Sequence, residues 1–395
     1  MFTRLLKRIV HTGSLELVDG RGRVHNYGDG AGPKTKVRLK NSQVDYALGL
    51  NPALKLGEAY MNGTLTIEEG TLLDLLTVLA QNFSNVRMHP FLVGLTKVQG
   101  FVNRHNSIAT ARRNVTHHYD LSRRLYELFL DKDLQYSCAY FETGSESLDE
   151  AQLKKKVHLA AKLLLDRPNL SVLDIGCGWG GLGLYLAREH QARVLGVTLS
   201  TEQQAVAAER ALKDGLSERA EFVLRDYREV KGTFDRIVSV GMFEHIGKRH
   251  YPEFFCRVRD LLNDGGIAVL HTIGWSDDPG PINPFIKKYI FPGADLPSLS
   301  EVMRVIERTG LVVTDIEVLR QHYATTLKHW RLNFQKNRDA VRELYDERFC
   351  RMWEFYLTAC ETFFRHRTQV VFQIQVSKGT SIVPLTRDYI YRATN

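Results

Sequence analysis

The 395-residue chain has no run of about 18 consecutive apolar residues, the length a membrane-spanning helix requires. Its opening, from Met1 to Val10, has neither the apolar core nor the small-residue cleavage site of a secretory signal. A cytoplasmic protein is expected, with at most peripheral membrane contact. The five cysteines, at 138, 177, 256, 350 and 360, are odd in number and contain no Cys-x-x-Cys pair, which argues against a disulfide framework or a thiolate zinc site. His117, His118 and Asp120 crowd together, but no second set of ligands stands at matching spacing, so no metal is expected. Repeats and low-complexity tracts are absent. So is a basic stripe interleaved with aromatics, which single-strand nucleic-acid binding would need.

What is present is a 44% apolar composition, enough for a large core, and a net charge of +8. Residues 1–40 hold nine Lys or Arg against three Asp or Glu, a local excess of +6. That excess favours an anionic partner, of which an acidic lipid surface is one.

Residues 1–100 mix short strand-like runs, turn clusters such as 27–33, and a helix expected over 71–82. They read as a small α+β domain. Polar residues 101–116 read as a linker to a larger domain, 117–395. There a helix over 150–165 precedes β-rich runs at 171–176, 193–199, 221–225, 234–240 and 267–272, with helical spacers between most of them. Two more β-rich runs, 312–319 and 370–376, flank a helical stretch that includes 327–356. The alternation predicts a parallel sheet covered by helices, in a doubly wound α/β domain.

Ser171-Val-Leu-Asp-Ile-Gly-Cys-Gly-Trp-Gly-Gly-Leu-Gly183 is an apolar strand running into a glycine-rich turn, where open α/β sheets hold nucleotides. Gly176, Gly178 and Gly181 also satisfy the dinucleotide pattern, but charge separates the two readings. A pyrophosphate would be repelled by an adjacent acid, and a dinucleotide wants its acid about 20 residues further on. Here Asp174 precedes the first glycine, and the second strand ends without a carboxylate. S-adenosylmethionine, with a sulfonium, an ammonium and no phosphate, suits that acid. The third strand ends in Asp226 and Tyr227, which would meet adenine and ribose; a turn-capping aspartate is the alternative.

Tyr136-Ser-Cys-Ala-Tyr-Phe141, the glycine loop, Val197-Thr-Leu-Ser200 with Gln203, Ser239-Val-Gly-Met-Phe-Glu-His245 and Leu270-His-Thr-Ile-Gly274 stand in a telling order. Together they resemble the blocks of the cyclopropane-fatty-acyl-phospholipid synthases and the related mycolic acid cyclopropane synthases. Leu56-Gly-Glu-Ala-Tyr-Met-Asn-Gly63 resembles the extra N-terminal domain of the phospholipid-acting branch. One block departs: after His118-Tyr-Asp-Leu-Ser122 the chain has Arg123, Arg124 and Leu125 where the family generally has Asn, an acid and Phe.

The resemblance implies a class I methyltransferase-like (Rossmann-like) fold and a cofactor site from Tyr136, Ser137, Gly176, Gly178, Thr198, Ser200, Gln203 and Asp226. It also implies a bicarbonate held by Cys138, Glu244, His271, Tyr323 and the backbone amide of Ile273, a homodimer, and membrane phospholipid as substrate. The expected chemistry is methyl transfer to an alkene and removal of a proton from the new methyl, which needs a base and a dry pocket. Tyr140 and Phe141 are candidates for cation–π stabilisation of the cationic carbon. Taken singly, Cys138 also reads as a buried thiol, His271 as a core histidine, and Tyr323 as part of a helix face with Leu327 and Trp330. A methyl-branched or hydroxylated product and a non-catalytic lipid binder are the rival functions. Segment 284–296 reads either as a membrane-dipping element or as a packed lid.

Overall fold

The computed structural model describes residues 1–82, 121–278 and 280–392. The expected linker and the His117, His118 and Asp120 group lie outside the described residues. Two compact units emerge. One takes the N-terminal residues together with 281–292 and 327–368, and the other takes the rest of the described chain. The reading of 1–100 and 117–395 as separate domains follows order along the chain, whereas these units interleave.

In the first unit, β1 (Ser14–Val18), β2 (Val24–Tyr27), β3 (Lys34–Leu39) and β4 (Leu65–Glu69) form a four-stranded sheet in the order β2-β1-β3-β4. The helix expected over 71–82 is Leu72–Gln81, started by a reciprocal Thr71–Asp74 capping box. Helix Glu347–His366 packs on Pro52–Met61 and Leu72–Gln81. Tyr60 donates to Glu354 Oε2 at 2.9 Å across that packing.

Segment 284–296 begins with helix Pro284–Tyr289, capped by Asn283. Phe285, Ile286 and Ile290 are buried, so the packed reading holds for these apolar side chains. The helix approaches Pro52–Met61 at Gly57, where a Cβ would run into the Phe285 ring. Glu58 accepts hydrogen bonds from Lys288 (2.8 Å), Tyr289 (2.9 Å) and Lys55 (2.6 Å). Burial raises the pKa of its carboxyl, but those partners outweigh it and hold the group down at about 2.

The second unit is built on β5 (Ser171–Ile175), β6 (Arg193–Thr198), β7 (Ala220–Leu224), β8 (Phe234–Val240), β9 (Leu262–Trp275), β10 (Val312–Val318) and β11 (Gln369–Ser377). They lie in the order β10-β11-β9-β8-β5-β6-β7. Pairing is parallel from β7 through β9, and β11 is antiparallel to both its neighbours. The order reverses at β5, so a crevice opens beyond the carboxyl ends of β5 and β8. Alternate residues of the central strands feed two apolar layers: Leu173, Ile237 and Leu270 face helices Tyr251–Leu261 and Leu299–Ile306, while Val172, Val238 and Val269 face the other side. The second layer includes helices Leu148–Lys162, Gly181–Glu189 and Thr201–Lys213. Leu148–Lys162 begins at a capping box between Ser147 and Glu150.

Candidate active site

Gly176 and Gly178, just past β5, have φ of +81° and +54°, in the left-handed region that favours glycine. A Cβ on Gly176 would lie 2.8 Å from Met242, whereas Gly178 faces open space, as a ligand cradle requires. Asp174, 2% exposed, lies two residues before Gly176 on the face covered by helix Leu148–Lys162. Its Oδ2 has no hydrogen-bond partner among the described residues. Burial pushes its pKa up to about 7, against the pull of Lys155. A buried carboxylate with an unmatched oxygen beside a glycine loop fits the cationic end of S-adenosylmethionine, and it would repel a phosphate.

Thr198, Ser200 and Gln203 are brought together at the end of β6. Thr198 Oγ1 donates to Gln203 Oε1 at 3.1 Å and accepts from the Ser200 amide at 3.2 Å, and Ser200 caps helix Thr201–Lys213. Asp226 lies past β7 as expected, but both its oxygens bind Arg228, at 2.8 Å and 2.7 Å. Tyr227 is placed differently from the expectation: its ring packs edge-on against Phe254 in the core. Tyr136 packs edge-on against Tyr126 and Phe129, and the Ser137 hydroxyl accepts from Lys155 at 2.8 Å.

The paired ends of β8 and β9 carry the acid and the histidine. Val240 pairs with His271, and the Gly241 amide donates to the His271 carbonyl at 2.9 Å. Glu244 follows in a short 3₁₀ turn, Phe243–His245. Its carboxylate is buried and accepts from Thr272 Oγ1 at 2.8 Å and from the Ile273 amide. Burial outweighs these bonds and that from the residue's own amide, and pushes Glu244 up to about 7, the range of a group that exchanges a proton at neutral pH. His271 is buried, and burial, aided by the positive charge of Lys155, holds its ring neutral. Ile273 thus directs its amide at Glu244, within the acid's own support.

Segment 136–141 lies along the start of helix Arg320–Lys336: the Ala139 amide donates to Thr326 Oγ1 at 3.0 Å and the Phe141 amide to His322 Nδ1 at 3.0 Å. This places Cys138 beside Thr326, one helical turn from the buried Tyr323. Burial raises the Cys138 thiol far above its ordinary range, so it is a thiol and not a thiolate. Tyr140 stacks on His158 (4.1 Å) and on His322 (4.9 Å), so its π face is engaged by imidazoles, contrary to the expectation that it faces the cationic carbon. The departing block lies on helix Arg123–Phe129, where Arg123 and Arg124 pair with Glu127 and Leu125 is buried.

Lys155 is the residue that sequence reasoning missed. It is fully buried, donates to Gln135 Oε1 (2.6 Å) and Ser137 Oγ, and acts electrostatically on Cys138, Asp174 and His271. Its charge is thus felt both at Asp174, before the cofactor loop, and at His271. Burial lowers its ammonium to about 8. It is the middle one of three consecutive lysines, and the spacing Leu148, Ala151, Lys155, Leu159, Lys162 runs down the buried stripe of the helix.

Residues 106–374 match the mycolic acid cyclopropane synthetase family, and residues 2–89 match a domain family of unknown function. The chain is 38% identical to the cyclopropane-fatty-acyl-phospholipid synthase of Escherichia coli K12, covering 87% of this chain and 88% of that one. It is 34% identical to a probable fatty acid methyltransferase of Pseudomonas putida, over 96% of both chains. The mycolic acid cyclopropane synthase CmaA1 complexed with SAH and CTAB superposes with a TM-score of 0.64 at 34% identity, covering 68% of this chain and 98% of that one. With the glycine loop, its unmatched aspartate and the strand order all in place, the chain belongs to the mycolic acid cyclopropane synthetase family and is an S-adenosylmethionine-dependent methyltransferase.

Proposed function

We propose that the enzyme adds a methylene group to the cis double bond of an unsaturated phospholipid acyl chain, closing a cyclopropane ring. The observation that carries this reading is the buried Glu244, which accepts from Thr272 and Ile273 just past β8, together with the buried, neutral His271 at the paired end of β9. S-adenosylmethionine, when bound, supplies the methyl group, and Asp174 and the loop from Gly176 to Gly178 are the residues that would hold it. Bicarbonate, when bound, would supply the base, held by Glu244, His271, Tyr323 and Cys138. Glu244 near neutrality can give or take the anion's hydroxyl proton, and a neutral His271 has one N–H to donate. The buried setting keeps water from a cationic acyl carbon.

Phospholipid as substrate is supported by coverage. The match to the E. coli phospholipid enzyme spans 87% of this chain, while CmaA1, matched over 98% of its own length, spans 68%. A net charge of +8 supports peripheral contact with anionic head groups, and no described helix is long and apolar enough to cross a membrane. Action as a homodimer at the inner face of the membrane completes the reading. A second reading, a methyl-branched product without a ring, is favoured by the likeness to the P. putida methyltransferase over 96% of this chain.

The test is incubation with S-adenosylmethionine and vesicles of a monounsaturated anionic phospholipid, then mass spectrometry of the released acyl chains. Gain of one CH₂ with loss of the double bond is expected. A methylated chain that keeps its double bond, or a methyl-branched alcohol, would establish the second reading. Glu244→Gln should lower turnover by about a hundredfold or more while leaving cofactor affinity unchanged.

A further inference from the structure

The antiparallel pairing of β11 sets three polar residues from three strands opposite one another: His271 on β9, Gln373 on β11 and Glu317 on β10. Cross-strand partners share a face of the sheet, and here that face lies under helix Leu148–Lys162. His158 Nε2 and Lys162 Nζ from that helix meet Glu317 Oε2 at 2.6 Å and 2.5 Å. Gln373, fully buried in the middle of the row, brings its amide Nε2 to 3.2 Å from Nδ1 of His271. Its Oε1 has no hydrogen-bond partner among the described residues.

An amide nitrogen donates and cannot accept, so the ring nitrogen it meets must carry a lone pair. The single proton of a neutral imidazole is then on Nε2. We infer that Gln373 is a positioning residue that fixes His271 as an Nε2–H donor for the anion of the proposed reaction. This deepens the bicarbonate reading above and rests on it. Without a donor at Nδ1 the ring would exchange between tautomers, and the alternative one turns a lone pair toward an anionic oxygen. Protonating the ring is not a substitute. Burial opposes it, as do Lys155, Lys162 and His158, against the favourable pull of Glu317. A neutral donor is therefore what the position calls for, which accounts for a glutamine inside the otherwise apolar run Val370-Val-Phe-Gln-Ile374.

The experiment is ¹⁵N NMR of the histidine-labelled full chain near neutral pH, with His271→Ala to assign the resonance, on wild type, Gln373→Met and Gln373→Glu. The wild-type ring is expected to be bare at Nδ1 and protonated at Nε2. Gln373→Met should mix the tautomers, and Gln373→Glu should move a proton onto Nδ1. In turnover assays Gln373→Met should raise the bicarbonate requirement about 10–100-fold, the range seen when a supporting hydrogen bond to a site histidine is lost, with cofactor affinity held within about twofold. A wild-type His271 protonated at Nδ1 overturns the inference, and that spectrum decides the matter even if a variant fails to fold. An unchanged tautomer with unchanged turnover in Gln373→Met overturns it as well. A tautomer that changes as expected, in enzymes that turn over without regard to bicarbonate, upholds the Gln373–His271 coupling and removes the anion reading.

Discussion

Asp174 and Glu244 are carboxyls that burial has pushed up to about 7, and they differ in what surrounds them. Glu244 has Thr272 and Ile273 as donors, whereas an oxygen of Asp174 lacks a partner among the described residues. A cation at Asp174 favours the ionised form, so cofactor binding should release a proton below neutrality and tighten as pH rises through about 7. Asp174→Asn should remove that pH dependence and weaken binding about 10–100-fold, the loss of one charged hydrogen bond; calorimetry in buffers of different ionisation enthalpy measures both. The sign for stability is the opposite. A folded-state pKa raised above the unfolded one stabilises the ligand-free protein at low pH, and that stability is lost as pH rises from about 4 through 7. The melting temperature of Asp174→Asn should therefore gain on wild type across that window, and a constant difference would contradict the assignment. Whether a carboxylate has a partner depends on neighbours distant in sequence. The motif showed that an acid precedes the loop, but not that its oxygen is unmatched.

At the scale of elements, local pattern served well where the signals were local. The capping pairs Thr71–Asp74 and Ser147–Glu150 start helices within two residues of the expected positions, and the run at 234–240 became β8 with the same bounds. The 284–296 segment was undecided because an apolar helix looks alike whether it meets lipid or protein. Gly57 decides it for helix Pro284–Tyr289, since the absent side chain is what lets the Phe285 ring dock. Gly57→Ala should cost about 1–3 kcal/mol in chemical denaturation, as overpacking does, and much less in a Phe285→Ala background. Equal costs in both backgrounds would mean the strain falls elsewhere.

For the whole molecule, the N-terminal sheet and helices do not make a unit alone. Pro52–Met61 and Leu72–Gln81 bury apolar faces against Glu347–His366, nearly three hundred residues on, as the Tyr60–Glu354 bond records with its separation of 294. A fragment of residues 1–82 should therefore show no cooperative thermal transition, and joining it to 281–292 and 327–368 through flexible linkers should restore one. A cooperative melt of the fragment by itself would show that the N-terminal segment carries its own core.

The sequence by itself determined the alternation of strands and helices, the loop that suits a sulfonium cofactor, and the blocks that hold Glu244 and His271. Those signals are periodicities and short motifs, written within a few neighbouring residues. Only the tertiary structure decided that Lys155 lies buried between the loop and the histidine, that Tyr140 and Tyr227 pack on other rings, and that Gln373 meets His271 across 102 residues of chain. The physical reason is that a one-dimensional pattern records which side chains leave water, while the partner each one finds there is set by strand order and register.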